Sequence, residues 1–332
     1  MNTILIFGIS GQDGYNLAYY LIKNFNNNIK IIGCYNNNKN IEKILLLSSN
    51  IDLIKFDLKN LNEIDEIIMK TNPHIIFNFA AIQPQFTNNI IDFFKFNTLS
   101  TIQILESICK YNKNIRYFSA GSSLEFKNEN KIINLDDKTE PDNAYGISKL
   151  SNRLLINLYR EKYNLFVVHG ILFNHDSASR SDDFLSKKII NHLINIKKSI
   201  ENNSTFTLME INNVFTYRDW SDSRDFIEAI WLIMNININE SDNYILSSGN
   251  EYSIYDFINI CLEILDFKNY LWTCDNQNIF SLYYNNHILI KSLSTNIIKN
   301  NIGNNKKILD KIDWKPKISF KKMIEDMIFN IF

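Results

Sequence analysis

Tyr145-Gly146-Ile147-Ser148-Lys149 sets a phenol and an ammonium four residues apart at the start of a helix-like run. On a helix that spacing brings both side chains to one face. A free tyrosine titrates about three units too high to take a proton at neutral pH. A neighbouring ammonium favours the phenolate, so such a pair can accept the proton of a substrate hydroxyl. A surface Tyr and Lys can share the spacing without any chemistry, so the pair needs a second feature to become a site.

Glycine supplies it. Three of the nine glycines fall in Gly8-Ile9-Ser10-Gly11-Gln12-Asp13-Gly14, after the apolar run Ile4-Leu5-Ile6-Phe7 and ahead of a helix-like stretch over 15–23. Glycine lets a backbone turn tightly and approach a pyrophosphate, and the helix N-terminus offers free N–H groups and a positive dipole end. The alternative is an ordinary strand-to-helix turn. A dinucleotide held there would bring a positively charged nicotinamide beside Tyr145 and favour its phenolate further.

The elements that must position these residues alternate. Apolar runs predict strands over 3–7, 29–34, 52–56, 75–78, 115–119 and 166–171, with helices over 14–24, 61–70, 93–110 and 145–162 between them. Such βα units imply an α/β fold, a doubly wound parallel Rossmann sheet. After Ile171 the rhythm changes. A polar loop over 174–183 precedes a helix over 184–198, and the region from 250 onward mixes two helices with an irregular stretch over 272–286. The expected division is a Rossmann domain of residues 1–170 and 214–247 and a smaller mixed α/β substrate lobe of residues 171–213 and 248–332.

With 332 residues, 21% charged residues and a net charge of −1, the chain shows no basic footprint for nucleic acid or a membrane surface. No apolar run reaches the ~18 residues of a membrane span. Met1-Asn2-Thr3 leads straight into the first strand. These features predict a soluble cytoplasmic protein. Cys34, Cys109, Cys261 and Cys274 lack metal-ligand spacing and read as reduced thiols, and no metal site is expected. Asparagine runs such as Asn26-Asn27-Asn28 and Asn36-Asn37-Asn38 fall where loops should be and read as compositional drift.

The glycine window and the Tyr-Lys pair together resemble the extended short-chain dehydrogenase/reductases, and within them the GDP-mannose 4,6-dehydratase family. The likeness runs through nearly the whole chain: Gln12-Asp13 and Leu17-Ala18, Gly170-Ile171-Leu172-Phe173-Asn174-His175, Phe184 with Lys187-Lys188-Ile189, Arg218-Asp219-Trp220, Gly303, and Trp314-Lys315-Pro316. The resemblance implies bound NAD(P), a GDP-sugar substrate and a homodimer or homotetramer. It implies cofactor contacts from Gly8, Gly11, Gln12, Asp13, Gly14, Asp57, Leu58, Ala80, Ala81, Tyr145 and Lys149. Asn97 would brace the Tyr145 region, and Asn174 and Lys188 would touch the sugar nucleotide. Arg218 would grip the diphosphate; taken alone, it reads more readily as a surface ion pair with Asp219 or Asp222. His175 reads as a packing histidine.

The implied reaction oxidises the sugar at C4, removes water across C5–C6 and returns the hydride to C6. Tyr145 would be the base, Lys149 would lower its pKa, and Ser122 would position the C4 oxygen. In the family the eliminating carboxylate stands two residues after that hydroxyl. Here the segment is Ser119-Ala120-Gly121-Ser122-Ser123-Leu124-Glu125-Phe126, so Leu124 occupies the position and Glu125 follows one place late. In extended backbone one residue reverses a side chain, and Glu125 serves as the base only if a bulge re-aims it. The alternative is a nucleotide-sugar C4 oxidoreductase, epimerase or ketoreductase without dehydration; a third reading is a non-catalytic nucleotide-binding homologue. Other departures are Cys34-Tyr35-Asn36-Asn37-Asn38-Lys39, with neither an Asp for an NAD ribose nor arginines for a 2′-phosphate, and Ser294 where an arginine is expected, with Lys291 nearby. NAD and NADP both stay open.

Overall fold

Parallel strands run through the centre of the computed structural model, which describes residues 2–25, 28–36, 41–57, 60–237 and 240–332. They are β1 (Asn2–Phe7), β2 (Ile29–Tyr35), β3 (Ile51–Lys55), β4 (Ile75–Asn78), β5 (Arg116–Ala120), β6 (Val167–Leu172) and β7 (Asn243–Leu246). Their spatial order is β7-β6-β5-β4-β1-β2-β3, all parallel. The chain therefore runs outward from β1 to β3 and returns to the other side of β1 at β4. That reversal leaves a crevice at the carboxyl ends of β1 and β4, where a sheet of this kind takes its ligand.

Alternation along each strand supplies both faces. Ile4 and Ile6 enter one apolar layer with Phe77, Phe118 and Phe226, whereas Leu5 and Phe7 enter the other with Ile76, Tyr117, Ile104 and Ile156. All six residues of β6 are buried, as a parallel strand covered by helices on both faces requires. The seventh strand, absent from the expected set, arrives only after a long excursion through the second lobe.

The helix expected over 93–110 is broken into three parts: a turn at Ile90–Phe93, a π-helical segment at Phe94–Leu99 and a regular helix at Ser100–Tyr111. The widened turn carries Asn97, whose side chain bonds Ile82 on one side and Ser148 on the other. Such bulges recur where a helix must turn a side chain inward at a functional site.

The second lobe has its own core, with Ile189, Leu193, Phe257, Ile258, Leu282, Ile290 and Met323 at its centre. Its mixed sheet joins Leu271–Cys274, Phe280–Tyr284, His287–Ser292 and Met209–Ile211. The stretch expected to be irregular over 272–286 is thus a strand, a connection, a second strand and a hairpin turn. Asn285 and Asn286 make that turn with φ of 48° and 64°, the left-handed pair a two-residue hairpin demands. The C-terminal segment ties both halves together: Ile308 and Trp314 pack into the core of the large sheet, and the helix Phe320–Phe329 packs into the core of the lobe.

Candidate active site

The turn after β1 is built by glycine. Gly8 has φ +84°, and a Cβ on it would stand 2.8 Å from the backbone nitrogen of Ala80. A Cβ on Gly14 would stand 2.3 Å from the Gly8 carbonyl oxygen. The chain can turn here and run past β4 only without side chains. Gly8 N–H donates to the Cys34 carbonyl at 3.0 Å, Gly11 N–H donates to the Gly8 carbonyl at 3.0 Å, and the helix Gln12–Phe25 begins at once. The cradle that a Cβ would fill, lying under a helix N-terminus, fits a dinucleotide. Ala80 and Ala81 are half-buried just past β4, and half-buried Asp57 lies just past β3. Leu58 and Lys39 lie outside the described residues.

Gln12 and Asp13 face the second lobe. Gln12 Nε2 donates to the His175 carbonyl at 3.1 Å, and His175 Nε2 lies 3.1 Å from both Asp13 carboxylate oxygens. Burial works against both charges. The pairing outweighs it, holding Asp13 below the usual carboxylate range and His175 above the usual imidazole value. His175 thus links the glycine turn to the segment after β6.

The helix Ala144–Tyr163 starts at Asn143, whose side chain accepts from Gly146 N–H at 2.8 Å. This cap sets Tyr145 in the first turn and Lys149 one turn later. Lys149 Nζ donates to the Ala120 carbonyl at 2.7 Å and lies 5.6 Å from the Tyr145 ring centroid. The Ser122 hydroxyl acts on the Tyr145 phenol in the sense that lowers its pKa. Burial, and after it the negative charge of Glu125, push the Tyr145 phenol up to about 12, against the influence of Ser122. Burial lowers Lys149 to about 8, against Glu125 and Asp13. A phenol raised in this way holds its proton at neutral pH. A cationic ring bound beside it would lower the phenol again, which is the sense required of a base. Asn97 braces the same helix: its Nδ2 donates to Ser148 Oγ at 3.2 Å, and its carbonyl accepts from Asn152.

Glu125 does not stand in extended backbone. Ser123–Glu125 is a 3-10 turn closed as a capping box: Leu124 N–H donates to Ser122 Oγ, and Ser122 N–H donates to Glu125 Oε1 at 3.0 Å. The turn drives Glu125 into the interior, where it is 0% exposed, and leaves Leu124 at the surface with 42% exposure. His169 Nε2 lies 2.8 Å from Glu125 Oε1, and Arg153 Nε lies 3.2 Å from Oε2. Burial opposes the carboxylate charge, but His169, Arg153 and the Ser122 amide together hold Glu125 below its ordinary value. His169 on β6 and Arg153 on the helix were not foreseen. The signals were present: Ser122-x-x-Glu125 has the form of a capping box, His169 interrupts an apolar strand, and Arg153 follows Lys149 by one turn.

Arg218 is the other informative side chain. Asp219 is occupied by the backbone N–H groups of Ser248, Gly249 and Gly303 and by the Ser248 hydroxyl, and Asp222 pairs with Arg224. Among the described residues Arg218 has no ion-pair partner; its guanidinium lies 5.9 Å from the Trp220 ring centroid. Burial lowers its pKa, partly countered by Asp176. Asn174 and Lys188 are exposed, whereas Lys187 is buried and donates to the Met327 carbonyl. Among the described residues no cluster of His, Cys, Asp and Glu could hold a metal, and no helix is long and apolar enough to cross a membrane.

A doubly wound sheet with this glycine turn and a Ser122-Tyr145-Lys149 cluster defines an enzyme of the extended short-chain dehydrogenase/reductase type. A family model described as GDP-mannose 4,6 dehydratase matches residues 5–327, and the chain belongs to that family. It is 25% identical to GDP-mannose 4,6 dehydratase 1 of Arabidopsis thaliana, with 98% of this chain and 88% of the relative covered. It is 24% identical to the human GDP-mannose 4,6 dehydratase, covering 98% and 90%. Among solved structures it is similar to dTDP-glucose 4,6-dehydratase from Bacillus anthracis in complex with NAD, with TM-score 0.76, 18% identity, and 99% and 96% of the chains covered. It is likewise similar to UDP-glucuronic acid 4-epimerase from Bacillus cereus in complex with UDP-glucuronic acid and NAD, with TM-score 0.77, 17% identity, and 99% and 100% covered.

Proposed function

We propose that this chain is a nucleotide-sugar C4 oxidoreductase, of the epimerase or ketoreductase kind, that works on a GDP-linked hexose without eliminating water. The observation that carries this reading is the turn after β5. Leu124 stands at the surface where the family places its eliminating carboxylate, and Glu125 is committed to Ser122, His169 and Arg153 in the interior. A buried carboxylate bonded in this way is not free to remove a proton from C5 of a sugar in the cleft.

NAD(P) bound on the glycine turn supplies the hydride acceptor and donor for C4. The remaining work falls to side chains of this chain. Ser122 holds the C4 oxygen and Tyr145 takes or returns its proton. Lys149, fixed on the Ala120 carbonyl, lends positive charge to the phenolate. Arg218, with no ion pair among the described residues, meets the diphosphate, while Asn174 and Lys188 contact the sugar nucleotide. We place the enzyme in the cytoplasm. A homodimer is supported by an exposed apolar stripe of Ile147, Leu154 and Leu158 on the helix that carries Tyr145.

Dehydration is the second reading, favoured by the full-length match to curated dehydratases. Incubation of the purified protein with NAD(P) and GDP-mannose or related nucleotide sugars in deuterated water separates the two. Reduced nicotinamide or a C4-altered sugar of undiminished water content supports the oxidoreductase. A product lighter by one water, with deuterium at C5, replaces it with the dehydratase. Absence of both turnover and bound nicotinamide overturns both.

A further inference from the structure

The buried acid beneath the site has a task of its own. Glu125 and its two partners come from three separate elements: the turn after β5, β6 and the helix Ala144–Tyr163. His169 is 0% exposed and its Nδ1 has no partner, so the network assigns its proton to Nε2, which donates to the carboxylate. Arg153 Nε meets Oε2 as an ion pair that is not aligned for a hydrogen bond, and its guanidinium lies 5.1 Å from the Phe126 ring centroid. Room for this cluster depends on Gly121. A Cβ there would stand 2.3 Å from His169 Nε2 and 2.6 Å from Glu125 Oε1. Gly121 N–H in turn donates to the Gly170 carbonyl at 2.7 Å, which fixes the loop to the strand that carries His169.

We propose that Glu125 is a positioning residue of the Ser122-Tyr145-Lys149 site: clamped by His169 and Arg153, its carboxylate fixes the Ser122 backbone and sets buried negative charge beneath Lys149. The inference rests on the reading of Tyr145 and Lys149 as the reacting pair. Arg153 lies one helical turn beyond Lys149, so Lys149 and the partner of Glu125 share a helix face. The charged and titratable groups around Lys149 are Tyr145, whose ring centroid lies 5.6 Å away, and Arg153 one turn on along its own helix, Glu125 from the turn after β5, whose charge favours the ammonium, and His169 from β6, whose charge Lys149 opposes. The charge of Asp13, on the first helix, also favours the ammonium, and Arg180, from the segment after β6, acts on Tyr145 and Asp13. Of these, Glu125 and Asp13 favour the charged lysine, and burial opposes it. Without Glu125 the ammonium would lose its proton at lower pH, and the Tyr145 phenolate would lose its cation.

The test uses the full chain and needs no turnover. Protein carrying 13C at the lysine ε-carbons is titrated by NMR, with the Lys149 signal assigned from Lys149→Met. In the parent protein Lys149 should titrate near its expected value of about 8. In Glu125→Gln, which keeps the shape and removes the charge, the midpoint should fall by about one pH unit; Glu125→Asp, which restores the charge, should recover most of the shift. If Glu125→Gln does not fold, Glu125→Met, of similar length and likewise without charge, takes its place with Arg153 retained, and its Lys149 midpoint must also fall. An unchanged midpoint in a folded variant overturns the proposal. Failure of the enzyme reading would appear separately, as Tyr145→Phe leaving turnover intact.

Discussion

The turn after β1 and the turn after β5 both reach the carboxyl edge of the sheet, and both contain glycines whose Cβ atoms would collide with their surroundings. They use that space differently. At Gly8 and Gly14 the neighbours are main-chain atoms, and the cleared space has the form that would admit backbone N–H groups to the phosphates of the proposed dinucleotide. At Gly121 the two nearest neighbours are the imidazole of His169 and the carboxylate of Glu125, with the Gly170 carbonyl beside them, and the cleared space holds a polar cluster. The first turn acts through backbone that any sequence of the right shape supplies. The second acts through side chains whose direction changes with every residue.

The largest expected effect tests whether the second turn serves chemistry at all. Tyr145→Phe should cut hydride transfer by ~10²–10⁴-fold while cofactor binding, measured by calorimetry, stays near the parent value. Retained activity would remove Tyr145 from its role and reduce the turn after β5 to a structural device. Next comes Gly14→Ala. Its Cβ would stand 2.3 Å from a backbone oxygen that cannot move aside, so nicotinamide binding should be lost and the melting temperature should fall.

Gly121→Ala sharpens the contrast with a smaller effect. Here the two nearest obstructing atoms belong to side chains and only the third, the Gly170 carbonyl oxygen at 2.9 Å, to backbone, so the cost should be ~1–3 kcal/mol of stability, read by denaturant titration, with cofactor affinity nearly unchanged. If Gly121→Ala abolished cofactor binding as fully as Gly14→Ala, the division between the two turns would fail.

The same contrast explains what could be read in advance. The doubly wound sheet, the glycine turn and the Tyr145-Lys149 helix were legible because strand and helix periods, and the steric demand for glycine, are written locally. The direction of Glu125 was not, because alternation in an extended strand was assumed where Ser122 and Glu125 close a 3-10 capping box. The hairpin at Asn285-Asn286 was hidden for a related reason. Asparagine is so common in this chain that it singles out no one turn, and it is also found with positive φ at Asn72, Asn164 and Asn330. Arg218 could be read only as an ambiguous cation, since the commitments of Asp219 and Asp222 depend on long-range contacts with Ser248, Gly249, Gly303 and Arg224. The break in the helix at Phe94–Leu99 had no local signal beyond Asn97 itself.

The central claim is that the acid of the second turn lies one residue away from the position from which it could reach a sugar. The most direct measurement compares the parent protein with Leu124→Glu in deuterated water, with NAD(P) and GDP-mannose, following deuterium at C5 of the sugar. The parent should exchange no C5 proton while its nicotinamide is reduced, and Leu124→Glu should gain C5 exchange. Deuterium at C5 together with loss of water in the parent protein would contradict the account.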